Sequence, residues 1–349
     1  MQTIAPTLAE KAPAASRWFR ADNIRWLLLF NVIWEHMLTQ TGIGHNWVVT
    51  VLVCWSRMIT MPGFCFLSGY FSKKGDKAYQ SAIFDFLIPY VIFNGLFVLC
   101  YGSSQPNIFS PSFAYWYMLS MFCWKLITKA LQQIKYVLPL SIVVALLTGL
   151  CGDAHNFLSL SRTIGFLPFY IIGMKMSRAD VAKLENLPKV LVAVVTFVIM
   201  GVWGWLNVKG VFHIDFFYYW APYGGTGMAD CLFSYSAVKG LILRAAGYIV
   251  SGVLIVFLFC LIPDRSLPVM RDGGTRTMVP YLLHTYIIMF IHSLYYFVPV
   301  LDRWYITVPM ALLMGVGVMS VLGLPFFNDL YGSFIKWIKK LLYVEQSVK

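Results

Sequence analysis

The sequence predicts an all-α integral membrane protein, a polytopic bundle of about ten transmembrane helices with both termini cytoplasmic. Three observations carry this reading. The 349-residue chain is 59% hydrophobic and only 12% charged, with a mean hydropathy of +0.70, far outside the range of a soluble domain. Its apolar runs recur at the length that crosses a hydrocarbon core, not as the short alternating segments of a barrel. Its Lys and Arg collect in alternate connecting segments, as residues retained on the cytoplasmic side do.

Taken in order, residues 1–21, opening "MQTIAPTLAEKAPAAS", read as a disordered cytoplasmic tail. A membrane domain over 22–327 follows, with spans at 24–41, 48–71, 82–101, 113–131, 136–151, 161–176, 189–208, 238–262, 278–298 and 304–326. The first run follows basic residues, as a signal peptide does. It carries internal charges, however, and no small-residue cleavage site follows, so it is expected to remain as a helix. The cytoplasmic segments would hold Lys11, Arg17, Arg20 and Arg25, then Lys73, Lys74 and Lys77, then Lys125, Lys129 and Lys135. Later ones hold Lys175, Arg178, Lys183 and Lys189, then Arg265, Arg271 and Arg276, and last Lys336, Lys339, Lys340 and Lys349. The opposite loops hold little beyond Lys209 and Arg303. Basic residues divided among six segments exclude a nucleic-acid patch. The longest outer loop, 209–237, is rich in aromatics and reads as an interfacial belt or as a platform for sugar rings. Residues 328–349 alternate apolar Phe334, Ile335, Trp337, Ile338 and Leu341 with lysines, the pattern of an interfacial amphipathic helix and tail. The seven cysteines form no CxxC pair and fall mostly inside apolar runs, as small buried hydrophobes do; no metal site is expected.

Against this apolar background the first span, "RWLLLFNVIWEH" over 25–36, is anomalous. Arg25 and His36 lie eleven residues apart, about three helical turns and roughly 16 Å, so they share one face. Asp22 sits on the same stripe one turn earlier, and Leu29, Val32 and Ile33 fill the stretch between. Arg25 alone has a simple reading as a positive-inside anchor. His36, deep in the span, is either a helix-packing hydrogen-bond group or a general base, since imidazole titrates near working pH and burial favours its neutral form. Glu35 points about 100° away from His36 and is expected to pair with a neighbouring helix. Arg57 and Arg244 are further intramembrane charges without an obvious partner.

The Arg-x10-His pattern in "DNIRWLLLFNVIWEHM" resembles the signature of the membrane acyltransferase 3 family, particularly its fucose 4-O-acetylase-like branch. Four further stretches are similar to segments of that family in the same order. They are "MPGFCFLSGYFSKK" with Phe64, Ser68, Gly69, Lys73 and Lys74; "AYWYMLSMFCWK" around Trp116; "SRTIGFLPFYIIGMKM" with Arg162; and "GGTRTMVPYLLHTYII" with His284. The likeness covers about 20–326 and is diffuse between these motifs. It implies transfer of an acyl group, usually acetyl, from cytoplasmic acetyl-CoA as co-substrate to a carbohydrate hydroxyl at or beyond the outer face. No tightly bound cofactor is implied, and a bacterial inner membrane is the expected location. Many members of that family carry an additional extracytoplasmic hydrolase-like domain; none is expected here, so either the membrane core or a separate protein would acylate the acceptor.

The residue chemistry is compatible with that implication. CoA is strongly anionic, and Arg25 with Lys73 and Lys74 is expected to line one cytoplasmic entrance, with Asp22 beside Arg25. His36, with Glu35, is the candidate catalytic pair. Ser68, the backbone at Gly69 and Arg162 are candidate oxyanion donors, with Trp116 and His284 as further candidates on the acceptor side. Gly63 and Gly69 equally suit close helix packing, and His284 equally suits a packing role. Direct transfer needs only a base and an oxyanion site, and is preferred here to a covalent intermediate. A proton-coupled transporter is the principal rival, because Glu35 and His36 in one span suit a proton relay. It predicts paired interrupted helices in two halves of the chain, which the sequence does not show. A non-catalytic scaffold is the third reading and leaves the Arg25–His36 stripe without a purpose.

Overall fold

A computed structural model describes residues 17–40, 46–102, 109–152, 157–226, 228–295 and 303–342. Most of the expected N-terminal tail, with Lys11, and the end of the chain, with Lys349, lie outside the described residues. Among the described residues every regular element is helical. The helices are α1 (Phe19–Gln40), α2 (Trp47–Phe71), α3 (Gly75–Ala82), α4 (Ile88–Tyr101), α5 (Trp116–Gln133), α6 (Val137–Thr148), α7 (Leu160–Lys175) and α8 (Arg178–Glu185). They continue with α9 (Lys189–Val208), α10 (Met228–Leu232), α11 (Ala237–Leu261), α12 (Pro268–Gly273), α13 (Met278–Tyr295), α14 (Trp304–Leu322) and α15 (Pro325–Leu342). A π-helical turn, Ile83–Leu87, joins α3 to α4.

Among the described residues, six stretches are long and apolar enough to cross a membrane: Trp47–Phe71, Ile83–Tyr101, Phe157–Lys175, Lys189–Val208, Ala237–Leu261 and Trp304–Leu322. The chain is therefore a multi-pass membrane protein. Each of the other four expected spans is also helical, but α1 and α5 carry many polar side chains, while α6 and α13 are shorter apolar helices. The contrast between α1 and α9 shows how the charged helix is accommodated. α9 exposes most of its valines, whereas α1 packs among α2, α12, α13 and α14 and buries Asp22, Asn23 and Glu35 along with Leu28, Leu29 and Leu38. Its ionisable groups face protein, where partners are available, and this removes much of the cost of placing them in a span.

Close backbone approach fixes the centre of the bundle. α2 and α7 cross at Gly69 and Gly173: a Cβ on Gly69 would lie 1.8 Å from the Tyr170 carbonyl oxygen, and one on Gly173 would lie 1.9 Å from that of Phe66. Only glycine fits at either position. α2 starts with Asn46, whose side chain accepts from the Val48 N–H at 2.9 Å, a standard N-cap.

Three expectations need correction. Residues 18–21 of the supposed tail are packed on the bundle: Trp18 lies on Tyr70 with ring centroids 5.1 Å apart and Arg20 pairs with Glu185 at 2.6 Å. The 209–237 loop is not an interfacial belt. Phe212, Phe216, Phe217, Tyr219 and Tyr223 are buried, and three of these rings cage Arg244, whose carbon lies 5.4 Å from Phe216, 5.0 Å from Tyr219 and 4.7 Å from Tyr223. Carbonyls of Ala145 and Ala221 accept from the same guanidinium, and among the described residues no carboxylate pairs with Arg244. The last helix begins at Pro325, after a turn at Gly323, and not at 328. It rests Ile335 and Ile338 on the bundle and leaves Trp337 and Leu341 exposed.

Candidate functional site

α1 and α2 run antiparallel, so the start of α1 and the end of α2 define one end of the bundle, here the near end, and the opposite termini define the far end. Three cavities follow one another along α1 between these ends. The near cavity, about 220 Å³, reaches from Arg25 and Ser68 to Lys125 and Tyr117. The middle chamber is small, about 40 Å³, and is lined by Glu35, His36, Arg57, Trp116 and Tyr218 among others. The far cavity, about 670 Å³, is lined by Trp47, Arg57, Asn207, His213, Asp215 and Tyr235 among others. Tyr117 and Tyr281 line both the near cavity and the chamber, and Arg57 lines both the chamber and the far cavity.

The chamber is built on a chain of charges. Arg57 on α2 donates from Nε to Glu35 Oε1 at 2.9 Å and from its terminal nitrogen to Asp215 in the 209–237 loop. The Tyr218 hydroxyl donates to the same Glu35 oxygen at 3.0 Å, and the Arg57 guanidinium lies 4.2 Å from the Tyr218 ring centroid. Glu35 Oε1 is thus doubly engaged, while Oε2 stands 3.5 Å from His36 Nδ1. Glu35 therefore does two things: it pairs with the neighbouring helix, as expected, and it also stands beside His36. Arg57, read from sequence as unpartnered, has two carboxylate partners. The signal for one of them was the isolated carboxylate in "FHIDFFYYW", which sequence reasoning noted only as part of an aromatic loop.

His36 stacks on His284 of α13, with centroids 5.7 Å apart and 17° between planes, and packs on Phe113 at 4.7 Å. His284 Nδ1 lies 2.6 Å from the Tyr281 carbonyl oxygen and 3.2 Å from that of Pro280. A carbonyl only accepts, so Nδ1 carries the proton and Nε2 the lone pair. Trp116 forms part of the chamber wall, stacked on Phe166 at 5.3 Å, and the Arg162 guanidinium lies 5.3 Å from its ring centroid. Arg57 and Arg162 are both electrostatic neighbours of His36. Glu35, His36, Trp116, Arg162 and His284 thus come together from four helices.

At the near end, Asp22 accepts from Arg17 at 2.8 Å and from Arg25 at 3.3 Å, and the Arg25 guanidinium lies 4.2 Å from the Phe71 ring centroid. Ser68 faces the near cavity, 2.6 Å from the Tyr117 hydroxyl. The expected lysines do not share this cavity. Lys73 donates to the Met176 carbonyl and lies over the Tyr70 ring, and Lys74 is exposed ahead of α3. Both follow the end of α2, where the chain turns away. The lysine that lines the cavity is Lys125, from α5, held at 2.8 Å from Ser81 Oγ. Gly69 belongs to the α2–α7 crossing, and its N–H lies inside the helical ladder, so it is unavailable as an oxyanion donor. Comparison with protein-family models, with curated proteins and with solved structures found no match to this chain.

Proposed function

We propose that the protein is a membrane O-acyltransferase, moving an acetyl or similar acyl group from cytoplasmic acyl-CoA to a hydroxyl of a cell-envelope carbohydrate. The observation that carries the reading is the series of three cavities, with a His–Glu pair in the middle chamber and cationic side chains at one end. In this reading all ten helical runs cross a cell membrane, with both termini cytoplasmic, and α15 lies along the inner surface. The near end then faces the cytoplasm, consistent with the distribution of Lys and Arg.

Arg25 and Lys125 attract the phosphates of CoA, and the pantetheine arm carries the thioester past Tyr117 and Tyr281 into the chamber. An acceptor hydroxyl enters from the far cavity. With the His36 Nδ1 proton turned toward Glu35, Nε2 presents its lone pair to that hydroxyl. His36 takes the proton as the oxygen attacks the thioester carbon. The tetrahedral intermediate collapses, the C–S bond breaks, and the proton passes from His36 to the departing sulfur. Arg57 and Tyr218 hold Glu35 in place by hydrogen bonds to its Oε1.

The test is acyl-CoA turnover by purified protein in lipid nanodiscs, followed as free thiol with and without a crude envelope glycan. Glycan-stimulated release is expected from wild type and is lost in a folded His36→Ala variant. No release with any acyl-CoA donor and glycan would sink the enzyme reading. A proton-coupled exporter of an envelope precursor, which also uses cavities at both ends, would then be the better account.

A further inference from the structure

A group that stabilises the thioester carbonyl during transfer has to line the chamber within reach of the donor's arm, because the carbonyl lies where that arm meets His36. Among the described residues, Tyr117 and Tyr281 line both spaces. Their rings meet edge to face, with centroids 5.9 Å apart, and form the partition. Their hydroxyls differ. The Tyr281 hydroxyl donates to the Ala114 carbonyl, so its proton is used within the fold. The Tyr117 hydroxyl lies 2.6 Å from Ser68 Oγ, a group that can itself donate. When the serine hydroxyl donates to the phenol oxygen, the phenol retains its own proton for a third group. Arg25 is an electrostatic neighbour of Tyr117 from the cytoplasmic cavity, adding a positive field where negative charge would develop.

Resting on the acyl-transfer reading, we infer that Tyr117 is a catalytic residue that donates the hydrogen bond to the oxyanion of the tetrahedral intermediate, with Ser68 as the residue that orients it. The carbonyl oxygen gains the electron pair of its π bond when the acceptor oxygen attacks. Tyr117 shares its proton with that oxygen and keeps it when the C=O bond re-forms and the C–S bond breaks. A donor fixed in place before the reaction acts on the transition state more than on bound substrate, so its loss falls on kcat.

Tyr117→Phe keeps the ring and the partition while removing the donor. The expected result in nanodiscs is a fall in kcat of about 10²-fold, the size typical of losing one such donor, with the KM for acetyl-CoA within threefold of wild type. Ser68→Ala should give a smaller fall, because the phenol remains. 3-Fluorotyrosine at 117, a more acidic donor of almost the same shape, should retain activity that phenylalanine does not. Equal rates with phenylalanine and fluorotyrosine overturn the assignment. So does a Tyr117→Phe kcat within threefold of an active wild type. A wild type that releases no thiol with any donor removes the acyl-transfer reading itself, and this inference with it.

Discussion

The molecule carries two ionic networks whose contrast explains the site. At the near end, Arg20 and Arg178 share Glu185, Arg178 also reaches Asp264 at 3.2 Å, and the Arg178 side chain is 49% exposed. In the middle of the bundle, Glu35, Arg57 and Asp215 form a chain in which the Glu35 and Arg57 side chains are 6% and 8% exposed. The Arg178 pairs of the first network add little to stability, because water solvates and screens that half-exposed guanidinium. The second carries a desolvation cost that apolar residues would avoid, so stability alone does not account for it. A buried ion chain bordering two cavities and touching the candidate base is what the proposed acyl transfer would use, whereas the near-end network docks α8 and the 263–265 turn onto α1.

The comparison breaks first at Arg57. Arg57→Gln leaves two carboxylates without their cation, and the expected loss is about 3–5 kcal/mol in an unfolding titration in mixed micelles, together with loss of thiol release. Adding Glu35→Gln should restore part of the stability and none of the activity. Arg178→Gln, by contrast, should change stability by less than about 1 kcal/mol. Equal effects of the two arginine variants would remove the distinction.

A middle-sized effect separates cations that line the near cavity from those that only neighbour it. Arg25→Ala and Lys125→Ala should each raise the acetyl-CoA KM about tenfold, near 1.4 kcal/mol of binding, and the difference should shrink at high salt. Lys73→Ala and Lys74→Ala should stay within twofold. A larger effect of Lys74 than of Lys125 would move the donor entrance.

The smallest effect lies in the cap of α8. Hydrogen bonds from Ser177 hold the Asp180 carboxyl down at about 2 from its ordinary 3.8, with help from Lys183. A depressed folded-state value means that the contribution is complete above about 3.8 and is lost as the pH falls toward 2. Amide exchange of α8, corrected for intrinsic rates, should therefore be flat between pH 5 and 8 and should rise only in acid. Asp180→Asn should remove that acid response.

Much of the fold was legible in the sequence because apolar runs have to match the membrane whatever surrounds them. The boundaries of α2, α9 and α11 follow from that constraint. Helical periodicity made the candidate site legible only where two groups share one helix, as Arg25 and His36 do, whereas Trp116, Arg162 and His284 were named through the family resemblance alone. Lys73 and Lys125 both lie toward the near end of the bundle, but charge counting gives the level of a residue and not its direction around the bundle. The Arg57–Asp215 pair joins residues far apart in sequence, and no local pattern predicts such a meeting. The aromatics of 212–223 were misread for a related reason: composition does not distinguish rings facing lipid from rings facing a buried guanidinium.

The smallness of the middle chamber bears on waste. At about 40 Å³ it has room for only a few water molecules, each needing about 10–15 Å³. In a transferase of this build, an acyl carbonyl seated against His36 displaces most of that water. The base would then activate a hydroxyl arriving from the far cavity in preference to a solvent molecule. Futile hydrolysis of the thioester would be limited by space, without a moving lid, and any variant that enlarges the chamber should leak free acid.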